Sequence, residues 1–174
     1  NNQNYLGILL SLTGLLAIIG PPLIFKLGLN FSLLLNSWGM VLKLVATIFI
    51  LSSAFFTGGI ALNIIFRNFH KEMPKLYMAD LIGSGLGVFL AILLMNSLST
   101  PVATFLIALP ILLAAFLCSG KILKIIPFLL MVTAVLLTPK SMSLLEAPQR
   151  ERGKVLYKHW DAMAKIKMFA YPQD

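Results

Sequence analysis

The polar positions of this chain are few and bunched, and the apolar stretches between them set the architecture to expect. Apolar residues run almost unbroken from Tyr5 to Leu27, from Met40 to Phe66 and from Pro74 to Leu98. Two further runs follow, Pro101 to Leu117 and Ile122 to Thr138. A helix needs about 20 such residues to cross the hydrocarbon core of a bilayer. The first three runs meet that length, whereas the last, of 17 residues, falls short of it. The pattern predicts an all-α multi-pass membrane domain over residues 1–139, of about five transmembrane helices near 5–27, 40–66, 74–98, 101–117 and 122–138. Punctuation between the runs agrees. Gly20-Pro21-Pro22 predicts a kink in the first span, and Asn30 to Gly39 reads as a loop, with Trp38 as a headgroup-level anchor. Pro74 and Pro101 suit first helical positions, where a missing N–H has no partner to lose. Pro110 predicts a second kink, Ser119-Gly120-Lys121 a tight turn, and Pro139 the end of the fifth run.

Past Pro139 the pattern changes. Residues 140–174 hold seven of the fourteen Lys and Arg and four of the six acids. Lys165-Ile166-Lys167-Met168 alternates with period two, and Lys154-Val155-Leu156-Tyr157 does so more weakly. Two strands around His159-Trp160-Asp161 are predicted, the first strands of a truncated soluble domain reached through a linker. Two strands alone are marginal in water.

The third span carries the most specific pattern. Helical spacing sets Asp80, Gly83, Ser84, Gly87 and Ala91 on one face, a smooth strip with a single charge near its start. Gly7, Ser11 and Gly14 form a comparable small-residue face in the first span, and Ser52, Phe56, Gly59, Asn63 and Arg67 share a face of the second. A short loop between the second and third spans predicts adjacent antiparallel helices, which brings Asn63 or Arg67 within reach of Asp80. Three readings of Asp80 stay open: a packing pair that fixes this hairpin, a group that meets substrate or a proton, or a carboxylate exposed at headgroup level.

Composition fixes the class and removes others. The chain is 59% hydrophobic and 11% charged, with a mean hydropathy of +0.91, whereas about a quarter of a soluble domain is charged. The net charge of +8 belongs to loops and the C-terminal segment, and without an aromatic-interleaved patch it points to a lipid surface and not to nucleic acid. Sidedness is divided. With five crossings, the Arg67–Lys75 loop and the Lys121–Lys124 turn share one side with five Lys and Arg, and nine fall on the other. The opening Asn-Asn-Gln-Asn has neither methionine nor a basic leader, which reads as an internal fragment. The lone Cys118 reads as a small packed or lipid-facing side chain.

Little here carries catalysis. Gly83-Ser84-Gly85-Leu86-Gly87 superficially matches a nucleotide-binding loop, but no buried strand precedes it and a spanning run follows. His70 and His159 stand apart without ligand-spaced partners, so no metal site is expected. Asp80, Glu146, Glu151 and Asp161 assemble no carboxylate pair, and no catalytic residue is assigned.

Two stretches carry a resemblance. Ser53-Ala54-Phe55-Phe56-Thr57-Gly58-Gly59, the basic loop, and Lys75-Leu76-Tyr77-Met78-Ala79-Asp80-Leu81-Ile82-Gly83 through Gly87 resemble the membrane part of membrane-integrated spermidine synthase-like proteins. Val155 to Ile166, with Lys158-His159-Trp160-Asp161 at its centre, is similar to the Lys-Trp-Asn-Ser stretch leading into that family's soluble domain. Asp161 stands where the family has Asn, and Ala162 where it has Ser. The resemblance covers about Ser53 to Phe169. It implies a multi-pass anchor in the bacterial inner membrane, followed by an aminopropyltransferase-like domain that uses decarboxylated S-adenosylmethionine and a polyamine. That catalytic domain is expected beyond Asp174, so none of its functional residues falls on this chain, which itself carries no cofactor. Asp80, with Asn63 and Arg67, is the candidate site for a cationic amine, because an intramembrane carboxylate is expensive. Gly59, Gly83, Ser84 and Gly87 are expected to pack helices. The alternative reading is part of a secondary transporter for a small cationic or polar solute, built on proline-broken spans.

Overall fold

The structure, a computed structural model, describes residues 2–34, 36–146 and 155–170. Its helices are α1 (Asn2–Leu27), α2 (Trp38–Asn68), α3 (Met73–Leu98), α4 (Thr100–Leu106), α5 (Ala108–Cys118), α6 (Ile125–Leu137) and α7 (Ser141–Leu144). Together with short turns they make five helical stretches long and apolar enough to cross a membrane: Asn4–Leu27, Trp38–Asn68, His70–Leu98, Thr100–Cys118 and Ile125–Leu144. Strands β1 (Val155–Trp160) and β2 (Lys165–Phe169) pair antiparallel as a hairpin. His159 and Trp160 thus belong to β1 and not to the turn, while the expected strand start at Lys154 lies outside the described residues.

Helix α1 is the centre of the bundle, flanked by α2 and α5. Its small-residue face makes this possible: a Cβ at Gly7 would collide with Ser119, and one at Gly14 with Leu112, which is fully buried. The hydroxyls of Ser11 and Thr13 on α1 bond back to their own helix. Ser11 donates to the Gly7 carbonyl at 2.7 Å, and Thr13 to the Leu9 carbonyl at 2.9 Å, with Thr57 of α2 3.0 Å away. Ile18, Phe105, Ala108, Leu112, Ala134 and Leu145 form the core between α1, α4, α5 and α6.

The prolines act where their chemistry is felt, which is not always where they sit. Pro110 breaks the fourth stretch at Ile107, between α4 and α5, because its ring clashes with the carbonyl four residues earlier, that of Leu106. Pro139 does not end the last stretch. The chain passes it in a 3₁₀ turn, Thr138–Lys140, and continues into α7, where Ser141 and Leu145 are buried. The expected span 122–138 is therefore corrected to Ile125–Leu144, and the bundle reaches Glu146 instead of stopping at residue 139. Helix α6 starts at Ile125 because Pro127, in its first turn, needs no N–H there.

One expected neighbour is missing. Helix α3 has no buried residue, and it packs against α4 and the His70–Glu72 turn without a shared interface along α2. A short turn only joins the ends of two helices. The far end of α3 is claimed by α4, through Ser99 at φ +81°, and by the hairpin, whose Ala162 N–H donates to Asn96 Oδ1 at 3.2 Å.

Contacts sort the two ends of the bundle. At the first, the Gly120 N–H donates to Asn4 Oδ1 at 3.0 Å, and Tyr5 shares a depression with Arg67 and Asn68. At the second lie Phe25, Ser99, Thr100, Glu146 and the hairpin.

Candidate functional site

The residues anticipated around Asp80 do not assemble within this chain. Asp80, Asn63 and Arg67 are all exposed, and none makes a hydrogen bond or ion pair among the described residues. Gly59, Gly83 and Gly87 face open space, and among the described residues no helix approaches them closely. Ser84 turns inward on its own helix, donating to the Leu81 carbonyl at 2.9 Å. Asp80 lies seven residues past Met73, about 10 Å along the axis from the first end at 1.5 Å per residue.

A different cluster forms at the second end. The Glu146 carboxylate follows directly on buried Leu145 and receives three ammonium groups: Lys158 at 2.8 Å, Lys167 at 2.9 Å and Lys165 at 3.2 Å. Hydrogen bonds from Lys158 above all, then from Lys167 and Lys165, hold the Glu146 carboxyl at about 2 against the resistance of its burial. Burial, in turn, pushes the Lys165 ammonium below its ordinary range, with Glu146 opposing. The Lys165 ammonium also sits 4.5 Å above the Trp160 ring, which meets Phe25 of α1 at 6.2 Å. The buried Trp160 Nε1–H and the buried Ser99 and Ser141 hydroxyls have no hydrogen-bond partner among the described residues.

Strand register explains why the lysines converge. Lys158 faces Lys167 and Trp160 faces Lys165, so all four occupy one side of the hairpin. The other side carries Tyr157, His159, Ile166 and Met168, all exposed. Like charges directly opposite destabilise a sheet, and here one carboxylate offsets them. The turn is closed by Asp161, whose Oδ1 accepts from the Met163 and Ala164 N–H groups, both at 2.7 Å; these bonds lower its pKa. Thr100, at the start of α4, donates to the Asp161 carbonyl. Asp161 and Ala162 thus act through turn and backbone contacts, roles that do not depend on the Asn and Ser of the resemblance.

The alternation of Lys165 and Lys167 was the visible signal for this cluster. Its acid was hidden, because nothing in the Leu144-Leu145-Glu146 sequence says that the carboxylate stands under a hairpin. A groove between α5 and α6, walled by Leu109, Leu113, Phe128, Met131 and Leu136, offers no polar group to a solute. Among the described residues no group of three metal-ligating side chains occurs. Compared with known proteins, the chain matches no family model, no curated protein and no solved structure.

Proposed function

We propose that this chain is a five-helix integral membrane anchor that seats a soluble domain on its second end. The observation that carries the reading is the hairpin. One side is tied to the bundle through Glu146, Phe25, Thr100 and Asn96, and the other presents exposed Tyr157, Ile166 and Met168, a face and two edges suited to further strands. The resemblance makes that soluble domain aminopropyltransferase-like, acting on decarboxylated S-adenosylmethionine and a polyamine. We take the second end as cytoplasmic, because it carries the larger share of Lys and Arg under the positive-inside rule. Lys26, Lys43, Lys140, Lys158, Lys165 and Lys167 lie there among the described residues, against Arg67, Lys71, Lys75, Lys121 and Lys124 at the first.

In this reading Asp80 has no part in transfer. It lies near the end opposite the hairpin, and Leu98 is 18 residues, about 27 Å, farther along α3. The test is aminopropyl transfer by membranes carrying the protein as its gene encodes it. The expected result is activity that sediments with the membrane and changes less than twofold in Asp80→Asn. Loss of transfer in a folded Asp80→Asn protein contradicts this division of labour and restores Asp80 as an amine site. The transporter reading has less support, since the α4–α5 break lies between buried Phe105 and Ala108 and lines no polar path.

A further inference from the structure

We propose that the depression at the first end of the bundle, lined by Tyr5 of α1 and by Ile64, Arg67 and Asn68 of α2, binds the phosphate of an anionic phospholipid. The inference rests on the reading that the bundle spans a membrane. Helix pairing sets the place: Thr13 meets Thr57 at 3.0 Å, and eight residues nearer the end on each antiparallel helix come Tyr5 and Ile65. Between them the side chains leave an opening of about 330 Å³, large enough to admit a phosphate. Arg67 makes no hydrogen bond or ion pair among the described residues. Glu72, the acid nearest to it in sequence, pairs with Lys75 at 3.3 Å, and Asp80 stands about 10 Å along α3 from Met73. A guanidinium offers five N–H donors in a planar fork that fits two phosphate oxygens, and Asn68 and Tyr5 add an amide and a hydroxyl. Among the described residues no carboxylate lines the depression, so a cationic amine finds no counter-charge there.

Position selects a lipid over a free anion. The first apolar stretch begins at Asn4 and the second ends at Asn68, so Tyr5 and Arg67 each stand one residue inside the rim, at headgroup depth. Ile64 gives the depression an apolar wall. Toward the interior, Tyr5, Ile8 and Leu12 recur at i, i+3 and i+7 along one side of α1, all exposed, a track for an acyl chain that inorganic phosphate cannot use. Charge selects an anionic lipid over a zwitterionic one. The first end carries Arg67, Lys71, Lys75, Lys121 and Lys124 against Glu72 and Asp80, a net +3 among the described residues. That field attracts phosphatidylglycerol and repels the trimethylammonium group of phosphatidylcholine.

The test uses the protein as its gene encodes it, purified in a non-ionic detergent, with a photoactivatable phosphatidylglycerol whose diazirine lies beside the headgroup. Cross-links are mapped to peptides, while unlabelled phosphatidylglycerol, phosphatidylcholine and inorganic phosphate compete in separate titrations. The expected result is labelling around Tyr5 and Ile64, competed about tenfold better by phosphatidylglycerol than by phosphatidylcholine and not at all by millimolar phosphate. Arg67→Gln weakens that labelling about tenfold and Arg67→Lys about threefold, since lysine keeps the charge and loses the fork. Lys121→Gln, which removes the same charge from another turn at this end, changes it by less than about twofold. If Arg67→Gln loses its helical circular dichroism, Arg67→Lys carries the comparison. Equal losses in the Arg67 and Lys121 variants overturn the proposal, as does equal competition by phosphatidylcholine or by phosphate. A detergent-dependent protein without labelling around Tyr5 and Ile64 overturns the lipid site alone. A protein that stays folded and monodisperse without detergent overturns the membrane reading and the lipid site together.

Discussion

Two glycine faces, alike on paper, end in opposite circumstances. Gly7 and Gly14 on α1 lie against Ser119 and Leu112, whereas Gly83 and Gly87 on α3 touch nothing among the described residues. Gly14→Val is therefore expected to destabilise the protein by about 1–3 kcal/mol through overpacking. Gly87→Val should change it by less than about 0.5 kcal/mol. Thermal unfolding of both variants in one detergent checks this, and an equal loss at the two sites contradicts it. Glu146 gives a pH signature. Its folded pKa, about 2, lies below the ordinary 4.5, so its contribution is complete above pH 4.5 and is lost as pH falls toward 2. Trp160 emission in the Trp38→Phe background should follow that loss, and Glu146→Gln should flatten it. The stripe on α1 was legible because period and residue size suffice to mark a close contact. The matching stripe on α3 was equally legible and misled, since a small face shows where a helix can approach and not whether one does.

At the scale of elements, length and hydropathy were enough to find five stretches, and local chemistry located most of their ends. Where expectation and structure part, backbone sterics explain the difference. Pro110 was expected to kink the helix at its own position, and it breaks the chain three residues earlier, where its ring meets a carbonyl. Pro139 was expected to stop a helix, and it opens a 3₁₀ turn that lets α7 return to the core. Helix α3 buries none of its residues. A nitroxide at position 87 should be mobile by electron paramagnetic resonance, and one at Ala115, which is fully buried, strongly immobilised. An immobilised label at position 87 means that α3 has a helix against its Asp80 face, the arrangement expected around Asp80, Asn63 and Arg67.

For the whole molecule, the five crossings proposed above would put its two ends on opposite faces of a bilayer. The hairpin's existence was legible from the period-two lysines. Its seat was not, because contacts such as Thr100 to Asp161 and Glu146 to Lys158 join residues 61 and 12 apart, and no local pattern reports such distances. The most direct measurement is impermeant-maleimide labelling of intact cells in a Cys118→Ser background, with a single cysteine at Lys71 on the first end or at Met163 in the hairpin turn, which is 93% exposed. The account predicts that position 71 labels from outside and position 163 only after the membrane is opened. Labelling of both from the same side, or recovery of both in the soluble fraction, contradicts it.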